Sequence, residues 1–359
     1  MKVLEVSGRA AGGMGTHVRL LCELLADAGV KVTLAQPETN TSIGRADIPE
    51  VALAISSRPT PGDQKTISTL KELTAGYDAV QAHGLRAGAL AALALRKITP
   101  RGRPRLIVTL HNQISGSGST RLIGNYLLTT ICKNADIVLG VSPDLVGEAK
   151  RRGARNVALA LIAAQEAPTT DKDRDTIRHD LHIDTPLCFV TLARLAPQKG
   201  LNILIKAAQQ MELSDYTWLI AGVGPLRAEL ETAAQGLPIR FLGHYREIGE
   251  LLLAADAVVS TSIWEGQPVA LQEALRAGCP IIATDVGGTA AVTGEAALLV
   301  EPNPASIAAA LDKFSQDADL RTQLHNAALR RAQELPTPAQ MLTQVLEALS
   351  GRQNGGTEG

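Results

Sequence analysis

The stretch AVVSTSIWEGQPVALQE, residues 257–273, contains a strand, a loop and the start of a helix. Its first five residues are mostly aliphatic, which predicts a buried strand. Pro268 is typical of the first turn of a helix, where its missing N–H would have no partner anyway. A buried strand followed by a loop and a helix predicts a parallel sheet covered by helices.

The same alternation continues on both sides of this stretch and forms two series. In the first series, we predict strands at residues 3–6, 30–35, 79–82, 106–110 and 137–141. Helices are predicted between them at residues 16–28, 84–97, 122–134 and 143–151. In the second series, strands are predicted at residues 187–192, 216–221, 239–242, 257–261, 280–284 and 297–300. Each series is long enough for a doubly wound domain of its own.

A change of composition separates the two series. Residues 163–175 are rich in Gln, Glu, Pro, Thr and Asp, which predicts a linker. We therefore expect an α/β protein of two Rossmann-like domains, residues 1–165 and 166–335, facing across a cleft where ligands bind. A helix at 336–350 is expected to pack back on the first domain, and the tail at 351–359 to be disordered.

The composition excludes several classes of protein. A chain of 359 residues with 45% hydrophobic residues suits two soluble domains, and a net charge of −1 gives no general attraction to nucleic acid. The four cysteines form no CxxC pair and are interpreted as core residues of a reducing compartment. No apolar run approaches the ~18 residues of a membrane span, and the N-terminus does not resemble a signal peptide. We expect a cytoplasmic protein.

The loop and helix start of the quoted stretch form a candidate anion site. Backbone N–H groups of Gly266, Gln267 and Val269, beside Pro268, would point out of the helix start toward a diphosphate. Glu273, about one and a half turns into the helix, could reach a ribose, and Glu265 could touch the sugar beyond the phosphates. The alternative is a capped helix with an exposed glutamate.

Two further segments carry candidate ligand contacts. RLAPQKG at 194–200 follows a predicted strand, and the cations Arg194 and Lys199 there suit the two phosphates of a nucleoside diphosphate. The alternative is a pair of surface cations. GGMGTH at 12–17 follows the first strand, and Gly12 and Gly13 would let the backbone approach a ligand closely. Its spacing differs from the GxGxxG dinucleotide fingerprint, which disfavours a nicotinamide-dependent oxidoreductase.

Taken in order, these segments resemble the retaining GT-B glycosyltransferases of family 4, the glycosyl transferases group 1. The resemblance extends to FLG at 241–243, AG at 277–278 and TDVGG at 284–288, and covers nearly the whole chain. It implies that Arg194 and Lys199 hold the donor diphosphate. It also implies that Glu273 bonds the ribose, while Glu265 and the backbone at 266–269 bond the transferred sugar.

The resemblance gives further residues a role. Gly13 would face the β-phosphate, and His111, in TLHN at 109–112, would lie beside the sugar. The base would rest near Gly222, Gly224 and His244. In the family picture the first domain binds the acceptor, and we assign Gly12, His17 and His83 to it. His17 and His83 either face the cleft or pack in the interior.

The mechanism implied by the resemblance is transfer with retention. We expect front-side displacement, in which the departing diphosphate helps to deprotonate the acceptor hydroxyl and the two cations stabilise it. No metal or other cofactor is required, and Mg²⁺ is not implied. A UDP-sugar is the favoured donor and GDP-mannose the next. The acceptor is unknown: a glycan, a lipid-linked sugar or a small molecule.

Two residues depart from the family pattern. Gln267 stands where an apolar residue is usual, and Ala291 stands where a glutamate is usual. Neither departure removes a diphosphate ligand, so transfer stays the favoured function. The departures keep open one rival, a non-catalytic nucleotide-sugar-binding protein. A second rival, a nucleotide-sugar epimerase, is disfavoured by the arrangement of Glu265 and Glu273 with the two cations.

Other charged segments are interpreted as surface. The DxD match in residues 171–175 lies in the predicted linker, and His179 and His182 lie on a predicted surface helix, so no metal site is predicted. A basic group could let the first domain touch anionic lipid at the inner leaflet as a peripheral protein. The alternative is a solvated helix end. This basic group consists of Arg96, Lys97, Arg101, Arg103 and Arg105.

Overall fold

A computed structural model describes residues 1–9, 13–96, 98–114, 117–163 and 170–351 of the chain. The chain forms two compact units, one from Met1–Ala163 with Pro336–Gly359 and the other from Ala164–Leu335. Each unit is built around its own parallel sheet.

The first unit has a seven-stranded sheet. Its strands are β1 (Lys2–Ser7), β2 (Lys31–Gln36), β3 (Glu50–Ala52), β4 (Ala79–His83), β5 (Arg105–Leu110), β6 (Ile137–Gly140) and β7 (Val157–Leu159). Between them lie the helices α1 (Gly13–Asp27), α2 (Asp63–Leu73), α3 (Leu85–Leu95), α4 (Gly118–Asn134) and α5 (Pro143–Arg151). The strand order is β3-β2-β1-β4-β5-β6-β7, with every neighbouring pair parallel.

The second unit has a six-stranded sheet. Its strands are β8 (Leu187–Leu192), β9 (Tyr216–Ala221), β10 (Ile239–Gly243), β11 (Ala257–Ser260), β12 (Ile281–Thr284) and β13 (Ala297–Val300). Its helices are α6 (Arg174–Asp180), α7 (Leu201–Ala208), α8 (Arg227–Ala233), α9 (Ile248–Ala254), α10 (Val269–Arg276), α11 (Thr289–Thr293), α12 (Pro304–Gln316) and α13 (Ala318–Glu334). The order β10-β9-β8-β11-β12-β13, all parallel, is the doubly wound order 3-2-1-4-5-6. The predicted α/β class with two Rossmann-like domains is confirmed.

The last helix of the chain, α14 (Pro338–Ser350), belongs to the first unit. It begins with a capping box between Thr337 and Gln340, which satisfies backbone N–H groups that the first turn leaves free. Its apolar side packs through Met341 and Val345, both buried. The side chain of Gln344 donates to the carbonyl of Leu159 at 2.8 Å, so α14 also covers the edge strand β7.

Both faces of the second sheet are covered, as its aliphatic strands require. Alternation along β8 sends Phe189 into one hydrophobic cluster and Cys188 and Val190 into the other. The Phe189 and Trp218 rings pack edge to face with centroids 5.5 Å apart. All four cysteines of the chain are buried and free, as expected of core residues. The sheet is therefore a rigid support for the loops that leave its carboxyl edge.

Several elements differ from the sequence-based prediction. Helix α1 begins at Gly13 and not at residue 16, because glycines are tolerated in a first turn that still has free N–H groups. Sequence analysis placed no element between residues 35 and 79, where the structure has β3 and α2, and helix α4 begins at Gly118 and not at residue 122. Helix α6 begins inside the predicted linker, and residues 164–169 of that linker lie outside the described residues, as do residues 352–359 of the tail.

Candidate active site

The switch point of the second sheet lies between β8 and β11. After β8 the chain crosses to β9 on one side of this pair of strands, and after β11 it crosses to β12 on the other side. The loops that follow β8 and β11 therefore start side by side at the carboxyl edge, where doubly wound sheets bind ligands. These are residues 193–200 and 261–268, the segments that sequence analysis singled out.

The two loops are fastened to each other by backbone contacts. Gly200 has φ +61°, and a Cβ there would lie 2.0 Å from the carbonyl oxygen of Thr261, so only glycine fits. The Thr261 hydroxyl donates to the carbonyls of Lys199 and Gly200 at 3.2 and 3.1 Å. The amide of Ile263 donates to the carbonyl of Gln198 at 2.8 Å. These bonds fix the position of each loop relative to the other.

Lys199 and Glu265 form an ion pair across the two loops. The Glu265 side chain is 9% exposed and the Lys199 side chain 24%, and the Ser262 hydroxyl also donates to Glu265 at 2.5 Å. Sequence analysis gave these two residues separate ligands and missed their pairing. A carboxylate this buried needs a counterion, and Lys199 supplies it. An ammonium group has three N–H donors, so Lys199 retains donors for a phosphate.

Arg194 differs from Lys199 in its surroundings. Its side chain is exposed, and among the residues that the structure describes its guanidinium has no ion-pair or hydrogen-bond partner. The backbone beside it is fixed, because the amide of Leu195 donates to the carbonyl of Val223 at 3.0 Å. Arg194 is therefore a free cation on a fixed loop.

Gly222 and Gly224 lie on the loop after β9 and are explained by packing. A Cβ at Gly222 would lie 1.9 Å from the carbonyl oxygen of Ala193, and one at Gly224 would lie 2.3 Å from that of Leu195. Both glycines thus allow this loop to lie against the loop after β8. His244, expected beside the base, is exposed just after β10.

The start of helix α10 offers open backbone donors. Pro268 is the N-cap residue and not part of the first turn. Within the described part of the chain, the amides of Gly266, Val269 and Ala270 have no acceptor. Such a helix start attracts an anion. The loop before it is held by the amide of Gly288, which donates to the carbonyl of Glu265 at 2.9 Å.

Glu273 lies on α10 one turn beyond these donors. Its side chain is half-buried, and burial raises the pKa of its carboxyl group. Its carboxylate has no hydrogen-bond partner among the described residues. Gln267 is half-buried, whereas Ala291 is exposed on α11, where its carbonyl accepts from Arg331 at 2.7 Å. Ala291, the second residue that departs from the family pattern, thus lies on the surface of its own unit.

The first unit brings together three of the predicted residues, His17, His83 and His111. His83 Nδ1 lies 3.2 Å from His111 Nε2, and His83 Nε2 lies 2.8 Å from Glu5 Oε2. Both ring nitrogens of His83 are therefore engaged, and its side chain is fully buried. Glu5 and His111 contact both nitrogens of the ring in this structure, and the acceptor contact of His83 stays a prediction. His17 is also buried, at 5% exposure.

One of the predicted glycines, Gly13, lies on the same helix as His17. Gly13 is exposed at the first position of α1, where free N–H groups remain. Gly12 lies outside the described residues. Glu5 lies in the first strand and was given no role by the sequence analysis. Its signal is that a charged residue occupies a central position of a buried parallel strand.

Comparison with known families gives two matches. Residues 173–331 match the model of the glycosyl transferases group 1, and residues 11–162 match the model of glycosyltransferase family 4. The two matches together cover most of both units. The chain belongs to the group 1 glycosyltransferases.

Relatives of this group 1 glycosyltransferase come from several organisms. A Bacillus subtilis protein named as a glycosyltransferase of teichuronic acid biosynthesis, TuaC, is 30% identical over 190 residues, which is 51% of this chain and 48% of that protein. The chain spans about half the length of the first curated relatives it matches. A GDP-mannose-dependent α-(1-6)-phosphatidylinositol dimannoside mannosyltransferase of Mycobacterium tuberculosis is 25% identical over 87% of both chains.

Solved structures share the fold. The Anabaena protein HepE, in complex with UDP, has a TM-score of 0.82 at 20% identity, covering 98% of this chain and 100% of that one. The GT-B fold predicted for this group 1 glycosyltransferase is confirmed. The predicted enzyme class is confirmed at the level of the family, since its relatives are named glycosyltransferases.

The structure changes the interpretation of the basic group. Arg103 pairs with Asp136 at 3.1 Å, and Arg105 donates to the carbonyl of Ala348 at 2.7 Å. Both cations thus stabilise the first unit, which leaves Arg96 and Arg101 exposed, while Lys97 lies outside the described residues. Contact of this basic group with lipid stays a prediction, and it would depend chiefly on the exposed residues. Among the described helices, none has the length and apolar character needed to cross a membrane.

The predicted surface role of the other charged residues agrees with the structure. Asp173 caps α6 by accepting from the amide of Thr176 at 2.8 Å, and Asp171 is exposed. The His179 side chain is 90% exposed. These residues gather no metal-binding group in the described part of the chain, where the one such group is formed by His17, His83 and His111.

Proposed function

We propose that this protein transfers a sugar from a nucleoside diphosphate-sugar to an acceptor hydroxyl, with retention of the anomeric configuration. The observation that carries the proposal is the Lys199–Glu265 pair at the switch point, with the unpaired Arg194 on the same loop. Cations and open backbone donors at this edge suit a diphosphate. A UDP-sugar is the first donor to test and GDP-mannose the second. UDP in the HepE complex and GDP-mannose in the name of the mycobacterial relative support this choice.

In the proposed reaction, each group has a separate task. Arg194 and Lys199 stabilise the negative charge that develops on the departing diphosphate. The open amides of Gly266 and Val269 bind the donor from the helix start, and Glu273 accepts from the ribose hydroxyls. Glu265 orients Lys199. The lone pairs of its carboxylate that remain accept hydrogen bonds from the transferred sugar.

Retention follows from attack on the same face as the leaving group. The acceptor oxygen forms its bond to the anomeric carbon as the bond to the diphosphate oxygen breaks, and the diphosphate takes the acceptor proton. Because the two cations neutralise the leaving group, this step requires no metal ion, and Mg²⁺ is not implied.

His111 is the proposed contact from the first unit. The Nε2 of His111 already contacts His83, so the Nδ1 of His111 is the ring nitrogen left for a sugar hydroxyl. Gly13, at the start of α1, is proposed to contact the β-phosphate.

The acceptor is a glycan, a lipid-linked sugar or a small molecule. A role in cell-envelope polysaccharide or glycolipid synthesis is proposed from the names of the relatives. A cytoplasmic location, peripheral at the membrane, is part of the same proposal.

A donor panel tests the proposal. The purified protein is incubated with UDP-, GDP- and ADP-sugars, while thermal shift reports binding and nucleotide release reports turnover, with and without EDTA. We expect one donor to raise the melting temperature and to release its nucleotide equally with EDTA. Lys206→Ala, an exposed lysine on α7, is the matched control for Lys199→Ala and should leave both readouts unchanged.

The same panel separates the rival functions. Donor binding without release to any acceptor would favour a non-catalytic nucleotide-sugar-binding protein. Isomerisation of the sugar in the donor alone, with no net release of nucleotide, would favour an epimerase. If no donor binds, the proposed function is wrong.

A further inference from the structure

Three histidines from distant parts of the sequence meet inside the first unit: His17 of α1, His83 at the end of β4 and His111 just after β5. Their ring centroids lie 5.4–5.6 Å apart in all three pairs. One ring nitrogen from each can be chosen so that all three lie within 4.8 Å of one another. This group, His17, His83 and His111, is called the histidine cluster below.

The sheet explains why these residues meet. In the parallel register, Ser7 of β1 pairs with His83 of β4, and His83 pairs with Thr109 of β5. Side chains two positions apart on a strand share a face, so Glu5 lies on the same face as His83, and His111 continues the face of Thr109. The switch point of this sheet lies between β1 and β4, where a doubly wound sheet opens toward a ligand.

The histidine cluster is shielded from solvent. The His83 side chain is fully buried, His17 is 5% exposed and His111 is half-buried. Imidazole binds metal ions through the lone pair of its neutral form.

Two buried polar atoms beside the cluster are unsatisfied. His17 Nδ1 and Glu5 Oε1 have no hydrogen-bond partner within the described residues. The Glu5 side chain is 0% exposed, and its one recorded contact is through Oε2 with His83. An unpaired carboxylate in such surroundings is costly, and a cation nearby would remove the cost.

The distance between His83 and His111 suits a tetrahedral metal ion. Two nitrogen ligands at 2.0–2.1 Å from zinc lie about 3.3 Å apart in a tetrahedral site. His83 Nδ1 and His111 Nε2 are separated by 3.2 Å. With Nδ1 of His83 on the metal, its Nε2–H donates to Glu5, which is the outer carboxylate that orients many metal-binding histidines.

We propose that the histidine cluster is a binding site for one divalent transition-metal ion, Zn²⁺ above all, with Glu5 as the hydrogen-bonded partner of His83. Imidazole ligands favour zinc and its neighbours over Mg²⁺ or Ca²⁺. Three protein ligands leave a fourth position for water or another small ligand. All three ligands belong to the first unit, and the metal proposal does not rest on the proposed transfer. His111 is shared with the proposed sugar contact, for which its Nδ1 is left.

Cobalt titration tests this proposal, because Co²⁺ reports its coordination in the visible spectrum. Protein stripped with a chelator is titrated with Co²⁺, following absorbance and heat, and then with Zn²⁺ in competition. We expect one equivalent to bind, with the band intensity of a four-coordinate ion, and Zn²⁺ to displace it. Glu5→Gln should weaken binding by about 10- to 100-fold, and His17→Ala by more.

Matched variants keep the test decisive. His17→Ala removes a ligand whose Nδ1 has no partner among the described residues, so the fold should survive, and circular dichroism checks this. His179→Ala removes an exposed histidine and should leave Co²⁺ binding unchanged. The proposal is overturned if wild type binds no Co²⁺ at one equivalent. Folded His17→Ala and His83→Ala that bind as tightly as wild type would overturn it as well.

Discussion

Lys199 and Glu265, 66 positions apart in the chain, form an ion pair that joins the loop after β8 to the loop after β11. The pair lies at the switch point of the second sheet, beside the close approach of Gly200 to Thr261. Because each partner also has a proposed donor contact, loss of either should change both the stability and the activity of the protein. A structural role and a functional role can be separated by removing both partners.

Replacing Lys199 by alanine should remove most sugar transfer. The leaving diphosphate loses a stabilising cation, and the expected fall in turnover is about 10²- to 10³-fold. Glu265 is left buried without its counterion, so the free energy of unfolding should fall by about 1–3 kcal/mol. Nucleotide release and urea unfolding measure the two effects.

A double variant separates the two effects. Lys199→Met with Glu265→Leu replaces the pair by apolar side chains of similar length, which should restore most of the stability. Transfer should remain lost. Recovery of activity along with stability would mean that the pair only supports the fold.

Arg194→Ala should weaken donor binding with no loss of stability. The guanidinium has no partner among the described residues, so its removal breaks no contact in the protein. A charged hydrogen bond to phosphate contributes about 1.5–3 kcal/mol, which corresponds to roughly a 10- to 150-fold weaker Kd. Calorimetry with the donor measures it, and Arg330→Ala, an exposed arginine on α13, is the control. An unchanged Kd in Arg194→Ala would remove this residue from the donor site.

Gly200→Ala should destabilise the protein far more than Gly236→Ala. Both glycines have positive φ, +61° and +81°, so each substitution costs about 1 kcal/mol of backbone strain. At Gly236 nothing lies within 4 Å of the added Cβ, whereas at Gly200 it would overlap the Thr261 carbonyl. We expect Gly200→Ala to lose at least about 2 kcal/mol more in urea unfolding. Equal losses would show that the two loops are not in contact there.

Stability of the first unit should depend on Glu148 at neutral pH and not in acid. Hydrogen bonds from Arg151 and then Arg152 lower the pKa of Glu148 below its ordinary 4.5. Because the pKa of Glu148 is lower in the folded protein, its ionised form stabilises the fold at pH values above the pKa of the unfolded state. This contribution is lost as the pH falls through the pKa of the folded state. The difference in melting temperature between wild type and Glu148→Gln should therefore shrink from pH 7 to pH 3. A difference that stays constant would contradict the pairing.

The alternation of strands and helices was predictable because parallel strands are buried on both faces and need continuous aliphatic runs. Residues 187–192 and 216–221 coincide with β8 and β9 for this reason. Strand β3 and helix α2 were missed because β3 has three residues at the sheet edge and α2 buries only Thr66 and Leu70. Their sequence therefore resembles polar surface.

The individual residues of the site were predictable, but the contacts between them were not. Arg194, Lys199 and Glu265 were found because cations and carboxylates at strand ends are unusual. The sequence could not show that Lys199 meets Glu265, since that contact depends on the order of strands in the sheet. The histidine cluster with Glu5 was missed for the same reason, as its members come from one helix and three separate strands or strand ends.

Hydrogen exchange with and without a bound donor tests the central claim most directly. The donor that gives the largest thermal shift in the panel is added at saturation, and exchange of backbone amides is followed by mass spectrometry. Binding at the switch point of the second unit predicts slower exchange in residues 193–200 and 261–270, with little change around the exposed helix α13. Protection confined to other segments, with these two loops unchanged, would contradict the claim that they form the donor site.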